Sequence, residues 1–241
     1  MSLSADSKTP AALLGLFLFL GLLGLGWLLG QSALRFKEYE RTVTVKGLSE
    51  RDVPADIVLW PIEISAAAND LAEVYTKLEA DVSEIEAFLI ANGIPKDEIS
   101  IGTPALVDKL AQQYGGTGAV PLRYLAQQTV SVYSPRVDTV RAAIPALARL
   151  GRSGILFARQ EYGNQTQYLF TGLNDVKPSM VEEATRHARS VAAKFAKDSE
   201  SRLGKIKRAN QGQFSIDSRD SQTPHIKRIR VVSTIEYYLA D

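Results

Sequence analysis

Residues 11–29 form an unbroken apolar run without a charge, AALLGLFLFLGLLGLGWLL. At 1.5 Å per residue, a helix of that length measures about 29 Å, close to the roughly 30 Å hydrocarbon core of a bilayer. Beyond residue 30 the run gives way to short segments with two different periods. The expected organisation is an N-terminal tail (1–10), a transmembrane anchor (11–30), a juxtamembrane link (31–41) and one α+β domain (42–241). Gly21 and Gly24 lie three apart, not at the four-residue spacing that favours close helix dimers. Trp27 sits near one end of the run, where an indole suits the membrane interface.

Period-two segments predict strands. TVTVK over residues 42–46 is the first, followed by a turn over 47–54. IVLWPIEISAA over 57–67 is the second, with Pro61 implying an edge position or a bulge. Further strands are expected over 99–110, 123–134, 155–170, 206–216 and 226–239. In the last, Ile229, Val231, Ser233, Ile235, Tyr237 and Leu239 point one way. Period 3.6 marks the helices. Asn69 and Asp70 are good N-cap types for a helix reaching about Asn92, with Leu71, Val74, Leu78, Val82, Ile85 and Leu89 on one face. A short helix is expected over 135–150. A long one over 178–203 carries Val181, Ala184, Ala188, Val191, Ala192 and Phe195 inward, with Gly204 as its cap. Strands come in adjacent pairs, so the sheet is expected to be mostly antiparallel and covered by helices.

Charge is balanced, with 28 basic and 27 acidic residues and a net charge of +1. That excludes the basic excess of a dedicated nucleic-acid binder. There is no cysteine. Disulfides, thiolate nucleophiles, cysteine-ligated zinc and iron–sulfur clusters are therefore excluded.

No catalytic, cofactor-binding or metal-ligating residue is assigned. Gly115, Gly116 and Gly118 lead into a strand, not into the GK[ST] helix of a phosphate loop. His187 and His225 lack metal-ligand spacing. Asp217 and Asp220 share a loop that also contains Arg219, and the oxygen spacing of a calcium loop is missing. Glu50, Asp52 and Asp56 lie within seven positions, where paired carboxylates can do acid–base work. No nucleophile or histidine accompanies them, so a salt-bridged surface loop is expected. Tyrosines 114, 124, 133, 162, 168, 237 and 238 lie on or beside strands, as packing requires. A basic series runs from Arg186 through Arg189, Lys194, Lys197, Arg202, Lys205 and Lys207 to Arg208, interrupted by acidic residues, as on a solvated face.

Four segments occur in order: TVTVKGLSERDVPADI from Thr42, NGIPKDEI from Asn92, EEATRHARSVAAKFAKDSESRLGKI from Glu182 and RIRVVSTIEYYL from Arg228. This set resembles the SIMPL-domain family, named for a kinase-interacting signalling protein and widespread in bacterial envelopes. The resemblance covers residues 42–238. The usual opening has a glycine two residues after Gly47 and an adjacent Pro-Asp. Here Ser49 and Pro54-Ala55-Asp56 stand instead, as in a divergent branch. The resemblance implies a periplasmic or surface-facing domain behind a signal peptide or anchor, with a tendency to oligomerise. It brings no catalytic residues and no cofactor.

Arg35, Lys37 and Arg41 follow the apolar run and only Lys8 precedes it, which by itself favours a cytoplasmic domain. A large folded domain translocates despite a few flanking charges, and the resemblance favours the periplasmic side. The run exceeds a signal peptide's apolar stretch of about 7–15 residues, and a retained anchor is expected. The resulting expectation is a non-enzymatic, single-pass inner-membrane protein held in the lipid bilayer by residues 11–29. It would act through homo-oligomeric assembly and contact with an envelope protein partner, with no nucleic acid. The alternative is a small-ligand binder or enzyme with a pocket between sheet and helices, near residues 50–56 and Asp217.

Overall fold

The structure is a computed structural model that describes residues 8–38, 41–111, 121–158 and 164–240. Helix α1 (Lys8–Glu38) contains the apolar run. Strands β1 (Thr42–Pro54) and β2 (Ile57–Ala68) precede helix α2 (Leu71–Ala91). Short strands β3 (Ile99–Ile101) and β4 (Ala105–Asp108) lead to β5 (Tyr124–Ser134) and helix α3 (Val137–Ala146). Strands β6 (Leu156–Phe157) and β7 (Gln167–Leu169) precede helix α4 (Leu173–Asp198). Strands β8 (Arg202–Gln211), β9 (Ser215–Ser218) and β10 (Ile226–Ala240) close the chain. The fold is α+β with antiparallel pairing in every described ladder.

Two compact units divide the chain. One comprises Met1–Ser49, Pro178–Phe214 and Val231–Asp241, and the other Glu50–Lys177 and Ser215–Arg230. In the first, the strand order is β1-β10-β8, and α4 lies on one face. Val45, Ala188, Ala192, Ile235 and Tyr237 form its buried cluster, with Val43 and Leu203 packed against it. The alternation predicted for β10 holds: Val231, Ser233, Ile235 and Tyr237 are buried, while Leu239 is partly covered.

In the second unit, the sheet order is β3-β5-β2-β6, with β4 beside β5 and β7 beside β2. Helix α2 buries Val74, Leu78, Val82, Ile85 and Leu89 against Val58, Ile62, Ile64, Val130 and Val132. The Asp70 cap and the stop near Asn92 were legible in sequence, and so was the periodicity except at Leu71, which was expected inward but is exposed in the first turn. Asp70 Oδ1 accepts from Ala72 N (2.9 Å) and Glu73 N (3.1 Å), and Gly93 takes φ +86°. This left-handed conformation costs glycine little and other residues much.

Several expectations need correction. The turn expected over 47–54 is strand: β1 continues to Pro54 because β10 supplies a partner along its length. Pro61 lies in an interior strand, opposite Ser131 in an unbroken register. On its other side, β2 pairs with β7 at residues 57–59 and with β6 at 64–65. Glu63 O accepts from Ala158 N (2.9 Å) on that side. Peptide groups alternate along a strand, so Pro61 turns its donorless nitrogen into the gap between the two short strands, and no ladder bond is lost.

The strand expected over 99–110 is two short strands, and residues 206–216 divide between β8 and β9. The long helix ends at Asp198, and Gly204 lies in β8, where an added Cβ would be 2.9 Å from Tyr238 O. Helix α4 buries Met180, Ala184, Ala188, Ala192 and Ala196, while Val191 (38% exposed) and Phe195 (56% exposed) stay outside. The cause is Gly47, where an added Cβ would lie 1.8 Å from Ala184 O and 2.6 Å from Ala188 N. Only a row of alanines permits that approach, and larger side chains are pushed to its margin.

Candidate functional site

The carboxylates of residues 50–56 were expected in a loop, but Glu50 and Asp52 stand on β1. They meet Arg228 of β10. Its Nε donates to Asp52 Oδ1 (2.9 Å), its Nη2 donates to Asp52 Oδ2 (3.2 Å), and Nε lies 3.2 Å from Glu50 Oε1. This two-pronged bond from the guanidinium holds the Asp52 carboxyl below its ordinary value. Asp56 has a different partner set. Its Oδ2 accepts from Thr171 N (2.8 Å), Thr171 Oγ1 (2.9 Å) and Gly172 N (3.0 Å), just ahead of α4. The three carboxylates are thus engaged by donors of their own unit and do not converge on a common point.

Asp217 is on β9, and Asp220 follows that strand in a tight turn. Asp220 accepts from Thr223 Oγ1, from Thr223 N (2.7 Å), from Gln222 N (2.8 Å) and from Arg219 Nε (3.0 Å). The Thr223 hydroxyl and the Arg219 guanidinium, with both backbone donors, hold this carboxyl far below the ordinary range. An acid so fully supplied with donors shapes a turn. Among the described residues, no group of three or more acidic, histidine or cysteine side chains is placed to hold a metal ion.

The two histidines are in different settings. His187 Nδ1 donates to Leu48 O (2.8 Å), joining α4 to β1. His225 meets the Tyr168 ring edge to face at 6.0 Å, and its backbone oxygen accepts from Ala55 N (2.8 Å). Burial, then the nearby Arg141 charge, lowers the His225 pKa, and burial raises that of Tyr168. Gly115, Gly116 and Gly118, with Tyr114 and Tyr162, lie outside the described residues. Of the other tyrosines, Tyr168 and Tyr237 are buried, Tyr124 and Tyr238 half-buried, and Tyr133 exposed.

The basic series is split between α4 and β8 by the end of the helix at Asp198. Lys207 is drawn to Glu236 (3.2 Å) and lies over the Tyr238 ring. A shallow cavity of about 200 Å³ in the second unit is lined by Trp60, Pro61, Ile62, Glu63, Leu147 and Phe157. The Glu63 carboxylate there accepts from Asn164 Nδ2 (3.1 Å).

Residues 43–232 match the model of SIMPL, a protein family of unknown function (DUF541). The chain belongs to the SIMPL family. This SIMPL domain follows a helix, Leu13–Ser32, that is long and apolar enough to cross a membrane, with mean hydropathy 2.3 and none of its length buried in the protein. No curated protein matches the chain. The most conspicuous feature missed in sequence is the exposed pair Val191 and Phe195. Its signal was available: both adjoin the alanines four apart that alone fit against a glycine-bearing strand.

Proposed function

We propose that this SIMPL protein is a single-pass protein of the bacterial inner membrane. Its domain faces the periplasm and works through homo-oligomeric assembly and contact with envelope proteins, without catalysing a reaction. One observation carries the reading: a span-length apolar helix with every described side chain exposed stands ahead of a SIMPL domain. A twenty-residue helix this apolar would be strongly unfavourable exposed to water, and lipid is the solvent that removes the cost. Glu50, Asp52 and Asp56, which first motivated an acid–base site, are engaged by Arg228 and Thr171, and Asp220 beside Asp217 is engaged by Arg219 and Thr223. That leaves no specific observation favouring an enzyme or small-ligand binder.

The test is fractionation of cells producing the full chain, followed by intact mass and particle size. The expected result is a carbonate-resistant membrane protein of 26.3 kDa. Its domain should be cut by protease added to spheroplasts, and its detergent particle should hold several copies. A shorter aqueous product trimmed near Ser32 or Ala33 overturns the anchor. Protection in spheroplasts overturns the orientation, and a monomeric particle at micromolar concentration overturns the assembly.

A further inference from the structure

The unit containing α4 has two open sheet margins that complement each other. In the order β1-β10-β8, no described strand lies beyond β1 or β8. Leu239 N donates to Arg41 O (2.8 Å). In an antiparallel ladder, successive residues turn their peptide groups to opposite sides. The odd-numbered residues of β1 therefore face β10, and Thr42, Thr44, Lys46 and Leu48 turn theirs to the open side. Leu48 shows this directly, because its carbonyl is taken by His187 rather than by β10. On β8, Gly212 N donates to Val232 O (2.9 Å), and Ala209 and Gln211 lie opposite Ile235 and Ser233. The same alternation turns the peptide groups of Ala209 and Gln211 outward.

The helix over the sheet is not centred. His187, Val191 and Phe195 form an i, i+4 row beside the buried row Ala184, Ala188, Ala192 and Ala196. Because His187 reaches Leu48, that row lies on the β1 side. There, two apolar side chains, 38% and 56% exposed, stand beside the open edge. The opposite flank of α4 carries Arg189 and Ala193. On that side Ile206, opposite Tyr237 and so on the helix-bearing face of β8, is left 50% exposed. One margin has apolar cover without a strand beneath it. The other has an apolar strand residue without cover.

We propose that a second copy of this chain adds its β8 to the β1 edge, in parallel, with its Ile206 seated beneath Val191 and Phe195. The inference rests on the assembly proposed above and supplies its surface. Strands β1 and β8 are both antiparallel to β10, hence parallel to each other, so a copy joined without reversal presents β8 in the matching direction. Both halves of the contact are on one chain, which selects a like copy as the partner. Because β1 begins at the anchor, parallel addition brings every anchor out at the same end, as insertion in one membrane requires. Antiparallel β1-to-β1 pairing would send two anchors from opposite ends and leave both Ile206 side chains bare. The contact is heterologous and repeats from copy to copy around a ring or along a row.

The chain has no cysteine, so introduced ones report the contact cleanly. Thr44 and Lys46 are exposed on β1, and Arg208 and Asn210 are exposed on β8. Full-length protein in detergent is oxidised with T44C or K46C combined with R208C or N210C in one chain. At least one combination should give a ladder of disulfide-linked dimers, trimers and higher species, with each single variant giving none. F195K should reduce the particle to one chain per micelle without lowering the melting temperature, since Phe195 is exposed within its own copy. A dimer from T44C or K46C alone, no ladder from any combination, or an F195K particle of unchanged size overturns this interface while an oligomeric wild type keeps the assembly. A monomeric wild type overturns both.

Discussion

Gly47 and Ala184 are pressed together so tightly that a Cβ on Gly47 would lie 1.8 Å from the Ala184 carbonyl oxygen. The obstacle is helix backbone, which has no rotamer with which to yield. Gly47→Ala is therefore expected to push α4 off β1 and destabilise the protein by about 1–3 kcal/mol, the usual cost of overpacking, or more. Urea unfolding of the full chain in detergent checks it. A midpoint equal to wild type would show that α4 does not rest on Gly47.

Arg228 and Asp52 are 176 positions apart in sequence and joined by two hydrogen bonds. The Asp52 pKa is lowered in the folded state, so its contribution to stability is present above the ordinary value of 3.8 and lost as pH falls through the lower folded value. Asp52→Asn should lower stability across the neutral and alkaline region, with the deficit shrinking as pH falls below about 4, so that the acid limb becomes flatter. Thermal melts from pH 2 to 7 on both proteins provide the comparison. An unaltered acid limb would count against the pairing.

Asp81 of α2 is buried, and its Oδ2 has no hydrogen-bond partner. Burial raises its pKa, with Glu84 adding to the rise and Lys77 opposing it. A raised carboxyl costs stability as pH climbs from the ordinary 3.8 through the folded value. Asp81→Leu removes that cost and adds an apolar contact, so it should raise stability at pH 7 by about 1 kcal/mol. The gain should shrink toward pH 3. Equal gains at both pH values would contradict the ionic cause.

Asp70 caps α2 by accepting from two backbone N–H groups. Asp70→Ala should cost about 1 kcal/mol. Asp70→Asn should recover most of it, because an amide oxygen serves the same donors. Chemical denaturation of the three proteins measures both, and a neutral Asp70→Ala would show that Asp70 does not stabilise the start of α2.

Much of the architecture was legible along the chain. The faces of α2 and β10 are written in periods of 3.6 and two, and Asp70 and Gly93 mark one helix's ends by their own backbone and side-chain chemistry. Residues 47–54 were harder. Gly47, Ser49, Pro54 and adjacent charges read locally as a turn, and only a long partner strand keeps them extended. The same distance effect hid the carboxylate partners. Nothing near Asp52 in sequence announces Arg228, and nothing near Asp56 announces Thr171.

The apolar run, the α+β class and the register of inward positions on β10 follow from neighbouring residues, because helix and strand periods and hydrocarbon thickness act over a few turns of chain. Which side chains of α4 are covered, and which acids are neutralised, follow from contacts between residues far apart in sequence. Val191 and Phe195 are as apolar as the buried positions beside them. They remain outside because Gly47 draws the alanine row down onto the sheet, and the space that excludes them exists only once strand and helix have met.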